Sequence, residues 1–183
     1  MKSGTVGLAT DVRLLRINYE GELGWELYHP LCYQRHLLEA LLAAGEPHGL
    51  RLIGLHALES LRLEKSYRAM YRDMNPALSA WESNLDRFIR LDKGDFIGKV
   101  ALVRQQQEGV RQRSVTIAID TDGASSLIHE GVHHEGKLVG RITSGSYAYT
   151  LGHDVAFALL PVELGKLGTE LEGRSSARCA RRG

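Results

Sequence analysis

Three observations on the 183-residue sequence predict an α+β fold. Two stretches in the first half repeat their apolar residues at helical spacing, and the second half carries short β-favourable segments between glycine-bearing turns. Twenty glycines against four prolines suit a chain of many tight turns rather than a helical bundle.

The elements follow in chain order. Residues 12–19 and 25–28 are β-favourable runs separated by Glu20-Gly21-Glu22-Leu23-Gly24, whose glycines can supply the positive φ of a hairpin loop, and Pro30 closes the second run. From Leu31 the period changes. Tyr33, Leu37 and Leu41 lie four apart with Leu38 and Leu42 beside them, which predicts an amphipathic helix to about Gly45 that buries a leucine stripe. After Gly54 a second helix is expected on Leu55, Leu58 and Leu61, with Glu59, Arg62, Glu64 and Arg68 on its other faces and Glu64 able to pair with Arg68 at i,i+4.

Residues 69–87 have no clean period and read as a long connection that runs over the surface or lines a site. A strand is expected at 87–91, a turn at 94–98 and a helix over 99–108 ending at Gly109. Val115, Ile117 and Ile119 alternate on one face of a strand over 113–120. Further strands at 126–134, 137–143 and 154–160, broken by Glu135-Gly136, Gly145 and Gly152, have the spacing of a small antiparallel barrel or sandwich. The domain boundary falls near 92–110 on this reading, and residues 173–183 read as a basic, disordered, solvated tail.

Composition narrows the classes of function. The length allows one domain or two small ones, and 43% hydrophobic residues exclude a disordered chain. A formal charge of +1 supplies no global field for nucleic acid or an acidic membrane, so any anionic partner must be met locally. Apolar runs such as 155–161 are too short to span a bilayer, and the N-terminus has no apolar leader. Two distant cysteines, Cys32 and Cys179, fit a reduced compartment, so a soluble, cytoplasmic protein is expected.

Several chemistries drop out on spacing. Gly94 to Val100 has one residue too few for a phosphate loop and no Ser or Thr where magnesium would sit, and there is no Gly-x-Ser-x-Gly elbow. Glu26/His29 and Glu130/His133 fit Glu-x-x-His, but that spacing converges only on a helix and both segments read as strand, so no metal site is expected.

Two stretches retain a chemical reading beside a structural one. Tyr19 to Tyr28 packs three aromatics and three carboxylates around a glycine turn. It is either a plain hairpin with Trp25 and Leu27 facing the core, or a platform where one carboxylate accepts paired N–H bonds from a planar heterocycle. Arg62, Lys65, Arg68 and Arg72, with Tyr67 and Tyr71, form either a salt-bridged exposed face or a cradle for a carboxylate-bearing ligand.

These two stretches, in this order, resemble the folate-binding aminomethyltransferase family: the T-protein of the glycine cleavage system and the C-terminal halves of dimethylglycine and sarcosine dehydrogenases. The similarity runs through Tyr19–Glu26 (Tyr-x-Gly-Glu-Leu-Gly-Trp-Glu), Ser60–Lys65, Leu85–Gly98 and Val139–Tyr147, ending near Leu171. Leu-Arg-Leu-Glu-Lys followed by Leu-Asp-Lys-x-Asp-Phe-Ile-Gly is the wording of the dehydrogenase branch, and Leu58 stands where the T-protein branch has an arginine.

The resemblance implies the later part of a folate-binding α+β domain over 1–97, a C-terminal antiparallel β-barrel over 98–172 and the tail over 173–183. It implies tetrahydrofolate as cofactor, with Glu26 bonding the pterin ring, Tyr19 giving an aromatic contact, and Arg62, Lys65, Arg68 or Arg72 meeting the anionic tail. The implied activity is transfer of a one-carbon unit from a small methylated amine or its iminium product. The family's catalytic aspartate and the dehydrogenases' flavin domain have no counterpart in the sequence, so no catalytic residue is assigned and FAD would belong to an absent domain or a flavin-containing partner. A non-catalytic folate-fold interaction domain is the alternative.

Three departures from the family accompany this. Asn84 replaces a usual Gly, Ala80-Trp81 replaces a typical Pro-Leu, and residues after Gly173 do not resemble the last barrel strand. An incomplete barrel with an exposed edge, open to self-association, is therefore expected.

Overall fold

A computed structural model of the chain describes residues 2–120, 128–173 and 176–179. It divides into two compact units, residues 1–59 and 60–183. Among the described residues no helix is long and apolar enough to cross a membrane.

The first unit is a three-stranded antiparallel sheet with a helix on it. β1 (Lys2–Val6) pairs with β2 (Ala9–Leu15), and β2 pairs with β3 (Glu26–Tyr28) in the register Arg13↔Tyr28, Leu14↔Leu27, Leu15↔Glu26. The β2–β3 hairpin is the one expected, with a longer connection, while β1 is an addition. The turn between β1 and β2 requires Gly7, whose φ is +58° and whose Cβ would lie 2.4 Å from His36 Nε2. The same His36 nitrogen accepts the Leu8 N–H at 2.8 Å.

A 3-10 turn (Leu31–Tyr33) leads into α1 (Gln34–Gly45). Of the leucine stripe, only Leu37 is buried, against Ala9 and Val12 with Val6, Leu14, Leu27 and Tyr33 around it. Leu38, Leu41 and Leu42 remain exposed because three short strands cover only the row through Tyr33 and Leu37.

α2 (Leu55–Glu64) crosses from the first unit into the second. It ends in a Schellman motif: Tyr67 N–H bonds Arg62 O at 2.9 Å, Ser66 N–H bonds Leu63 O at 2.9 Å, and Ser66 takes the left-handed conformation at φ 57°. This stop explains why Glu64 and Arg68 do not pair. Arg68 lies beyond the helix, and Glu64 Oε1 instead accepts the Thr150 N–H at 2.9 Å.

Residues 65–98 form successive turns. Ser79 and Glu82 make a capping box, Ser79 N–H to Glu82 Oε2 at 2.8 Å and Glu82 N–H to Ser79 Oγ at 3.2 Å. Asn84 has φ 60°, and its Oδ1 accepts from Arg113 Nη2 at 2.8 Å. Asn tolerates this conformation better than other non-glycine residues, which accounts for Asn at this position. The strand expected at 87–91 is instead a 3-10 turn (Asp86–Phe88) held by local bonds from Phe88 N–H to Leu85 O and Ile89 N–H to Asp86 O. α3 spans Lys99–Glu108 as expected.

Six antiparallel strands then close a barrel: β4 (Gln112–Asp120), β5 (Gly131–His134), β6 (Lys137–Ala148), β7 (His153–Pro161), β8 (Glu170–Glu172) and β9 (Ser176–Cys179), in the order β4-β7-β6-β5-β8-β9. Its interior holds Ile117, Ile119, Val132, Ile142, Ala156, Ala158, Leu160 and Leu171. β7 is buried on both faces, which is why it reads as a continuous apolar run.

The open edge expected after Leu171 is corrected. β9 pairs with β4 on one side and β8 on the other, which closes the barrel. The rest of the tail expectation, residues 174–175 and 180–183, lies outside the described residues, as do 126–127 of the strand expected from 126. Nor does Gly145 break β6, which runs through it past a bulge between Ile142 and Ser144.

Gly140 on β6 lies close against β7, and an added Cβ would lie 2.2 Å from Leu159 O. Gly140→Ala is therefore expected to destabilise the barrel by about 1–3 kcal/mol, measured by urea unfolding.

Candidate functional site

The hairpin of the first unit positions the first set of candidate residues. The β2–β3 connection folds back on itself, with Gly21 N–H on Asn18 Oδ1 at 2.8 Å and Arg16 Nη1 on Gly24 O at 3.3 Å. A Cβ on Gly24 would lie 2.7 Å from that of Asn18, so only glycine allows this approach. The backbone just before Tyr19 is thereby held beside the backbone just before Glu26.

Glu26 opens β3 and is half-buried. Its Oε2 accepts the Tyr28 hydroxyl at 2.7 Å. An ionised carboxylate has about four lone-pair sites, so capacity remains to accept two parallel N–H groups. Tyr28 feels the same contact: the hydrogen bond to Glu26, then its negative charge, push the phenol above its ordinary value near 10. Trp25 does not face the core as the plain-hairpin reading expects. It is 55% exposed with the Arg16 guanidinium 5.4 Å from its ring, because β3 starts one residue later. Leu27 does pack on the core.

The second set lies at the end of α2, and here the structure corrects part of the expectation. Arg62 is fully buried and is unavailable to a ligand tail. Its Nη1 bonds Asp73 Oδ2 at 2.8 Å and Tyr67 O at 2.9 Å, and its Nη2 bonds Ser144 Oγ at 2.7 Å. Asp73, equally buried, also accepts Ala69 N–H at 2.8 Å, Thr143 Oγ1 at 2.5 Å and Ser144 Oγ at 2.8 Å. Adjacent strand residues normally point to opposite faces, and the β6 bulge is what lets Thr143 and Ser144 both reach this carboxylate.

Arg68 is half-buried, 4.4 Å from the centre of the Phe157 ring and bonded to Ser66 O and Ser114 O. Lys65 and Arg72 are exposed. Tyr19 and Glu26 belong to the first unit and these cations to the second.

The elements therefore define a class: a mixed α/β unit with a glycine-turned acidic-aromatic hairpin, and a six-stranded barrel clasped by a buried arginine at a helix end. Residues 1–93 match the GCVT N-terminal domain and residues 112–179 match the glycine cleavage T-protein C-terminal barrel domain. The chain belongs to this aminomethyltransferase family. It is 41% identical over 162 residues to dimethylglycine dehydrogenase of Mus musculus, covering 88% of this chain and 19% of that protein. It is 35% identical over 162 residues to an aminomethyltransferase of Koribacter versatilis, covering 87% of this chain and 43% of that one. The crystal structure of the glycine cleavage system aminomethyltransferase T from Bartonella henselae shares the fold, with a TM-score of 0.83 and 24% identity over 92% of this chain and 48% of that one. The chain thus spans less than half the length of these relatives.

Arg62→Met is expected to cost about 3–5 kcal/mol in chemical denaturation by leaving Asp73 buried without its cation, and adding Asp73→Leu is expected to recover part of the loss. Tyr28 is expected to titrate above its ordinary range, read as the difference in ultraviolet titration between the parent and Tyr28→Phe, and Glu26→Gln is expected to return it toward 10. The stabilisation that raises this value is fully present below about pH 10 and disappears as pH rises through the shifted value.

Proposed function

We propose that this chain is the tetrahydrofolate-binding module of a one-carbon transfer unit of the dimethylglycine or sarcosine dehydrogenase or aminomethyltransferase type. The observation that carries this reading is the Glu26 carboxylate, half-buried on β3 and held by the Tyr28 hydroxyl with acceptor capacity left over. A pterin presents an N–H and an amino group side by side, the arrangement that one ionised carboxylate accepts in two parallel bonds.

On this reading Glu26 accepts the pterin and Tyr19 contacts it through its ring, while Arg62 is held in its ion pair with Asp73. Bound tetrahydrofolate supplies the nitrogen acceptor for a one-carbon unit released from a small methylated amine or its iminium product. A flavin-containing partner is the source of that iminium. Family membership and the similarity to dimethylglycine dehydrogenase support the substrate class.

Isothermal titration of the full chain with tetrahydrofolate is expected to show saturable binding that Glu26→Gln weakens about tenfold or more, since a charge-assisted pair becomes a neutral one. A folded parent chain that gives no heat and no ligand-dependent rise in melting temperature would instead favour the non-catalytic interaction domain.

A further inference from the structure

The second unit carries a cavity of about 730 Å³ remote in sequence from the folate-site residues, lined by α3, the α3–β4 connection and the adjoining ends of β4, β6 and β7. Three arginines reach it from three places: Arg104 on α3, Arg111 before β4 and Arg141 on β6. All three are exposed, and none makes an ion pair or side-chain hydrogen bond among the described residues. Guanidinium groups stay charged at any ordinary pH, so the positive charge here is permanent.

Two carboxylates also line the cavity, and they differ. Glu82 is already committed, Oε2 to Ser79 N–H and Oε1 to Gln112 Nε2 at 3.1 Å. Glu108 sits one turn after Arg104 without pairing to it. The arginines therefore outnumber the carboxylates, and one of those carboxylates is held by its own donors. The remaining wall mixes the amides of Gln105 and Gln112 with apolar groups of Val139, Leu159 and Pro161. The volume lies within the range of small-molecule sites.

We propose that this cavity binds a small organic polyanion, its oxyanion groups held by Arg104, Arg111 and Arg141 and its body resting against Val139, Leu159 and Pro161. Forked guanidinium donors match carboxylate and phosphate oxygens alike, so the shared chemistry is a molecule carrying at least two such groups. Arg104, Glu108 and Arg111 fall in residues 94–111, between the two matched family domains, and Arg141 falls in the second.

The test uses the full chain at low salt, titrated calorimetrically with inorganic pyrophosphate and separately with citrate. Saturable binding that weakens as ionic strength rises is expected. The double variant Arg111→Gln/Arg141→Gln is expected to weaken it about tenfold or more, and Glu108→Gln to tighten it by removing the opposing charge. Tighter binding of pyrophosphate assigns phosphate esters, and tighter binding of citrate assigns polycarboxylates. Glu26→Gln is expected to leave both affinities unchanged, which separates this site from the folate reading. Melting temperatures check that the variants fold, and Arg104→Gln alone provides a milder version of the same loss. Absence of saturable binding to either anion, or unaltered affinity in the folded arginine variants, overturns the proposal.

Discussion

The buried Arg62–Asp73 pair is the constraint on which the second unit depends. Two charges with no solvent exposure are tolerable only if their hydrogen-bonding capacity is met, because desolvation costs several kcal/mol per ion. The partners that meet it come from two places distant in sequence: Tyr67 O and Ala69 N–H from the turn after α2, and Thr143 and Ser144 from β6. The Schellman stop at Ser66, the tight turns through 65–74 and the bulge in β6 all serve one polar cluster. Without that cluster nothing would dictate which turn of the 65–74 segment lies on which strand. The barrel's apolar interior could close by itself, but its outer β7 face, with Phe157 beneath Arg62 and Arg68, would lose its cover.

Much of the architecture was legible because it rests on local periodicity. α2 and α3 and the buried face of β4 follow from spacing alone, and Gly54 and Gly109 mark a start and a stop that the structure keeps. The misreadings share a different cause. Arg62 looks like part of a charged helix face, since a guanidinium in sequence carries no sign of a carboxylate eleven residues on that will bury it. β9, Ser-Ala-Arg-Cys, carries no apolar alternation from which a strand could be read, and its place in the barrel is seen only in its backbone pairing to β4 and β8. The leucines of α1 fit a helix perfectly well, yet a period says how residues share a face and not how wide the covering sheet will be.

At the candidate site, the residue types were legible and their division of labour was not. Glycines at 21 and 24 announce a turn, and the structure shows that Gly24 is needed for close approach to Asn18 rather than for a positive φ. Tyr28 reads from alternation as a solvent-facing residue, which it is, but exposure does not reveal that its hydroxyl is spent on Glu26. That bond orients the carboxylate. A single neutral donor leaves most of a carboxylate's lone pairs open, where a bidentate arginine partner would occupy both oxygens.

The same accounting gives the near-neutral charge of the chain its physical meaning. A formal +1 says little about the surface when cations differ so much in what they do. Arg62 and Arg68 are structural, Arg113 is bound to Asn84 and Asp86, and Arg35 to Glu39. A paired or buried cation contributes almost nothing to the field outside the protein, whereas an unpaired one contributes over about a Debye length of 8–10 Å. The electrostatic character seen by a small ligand is therefore set by the few cations without partners, and in the second unit Arg104, Arg111 and Arg141 meet at one cavity. Local positive potential arises here from where pairing fails, not from an excess of basic residues.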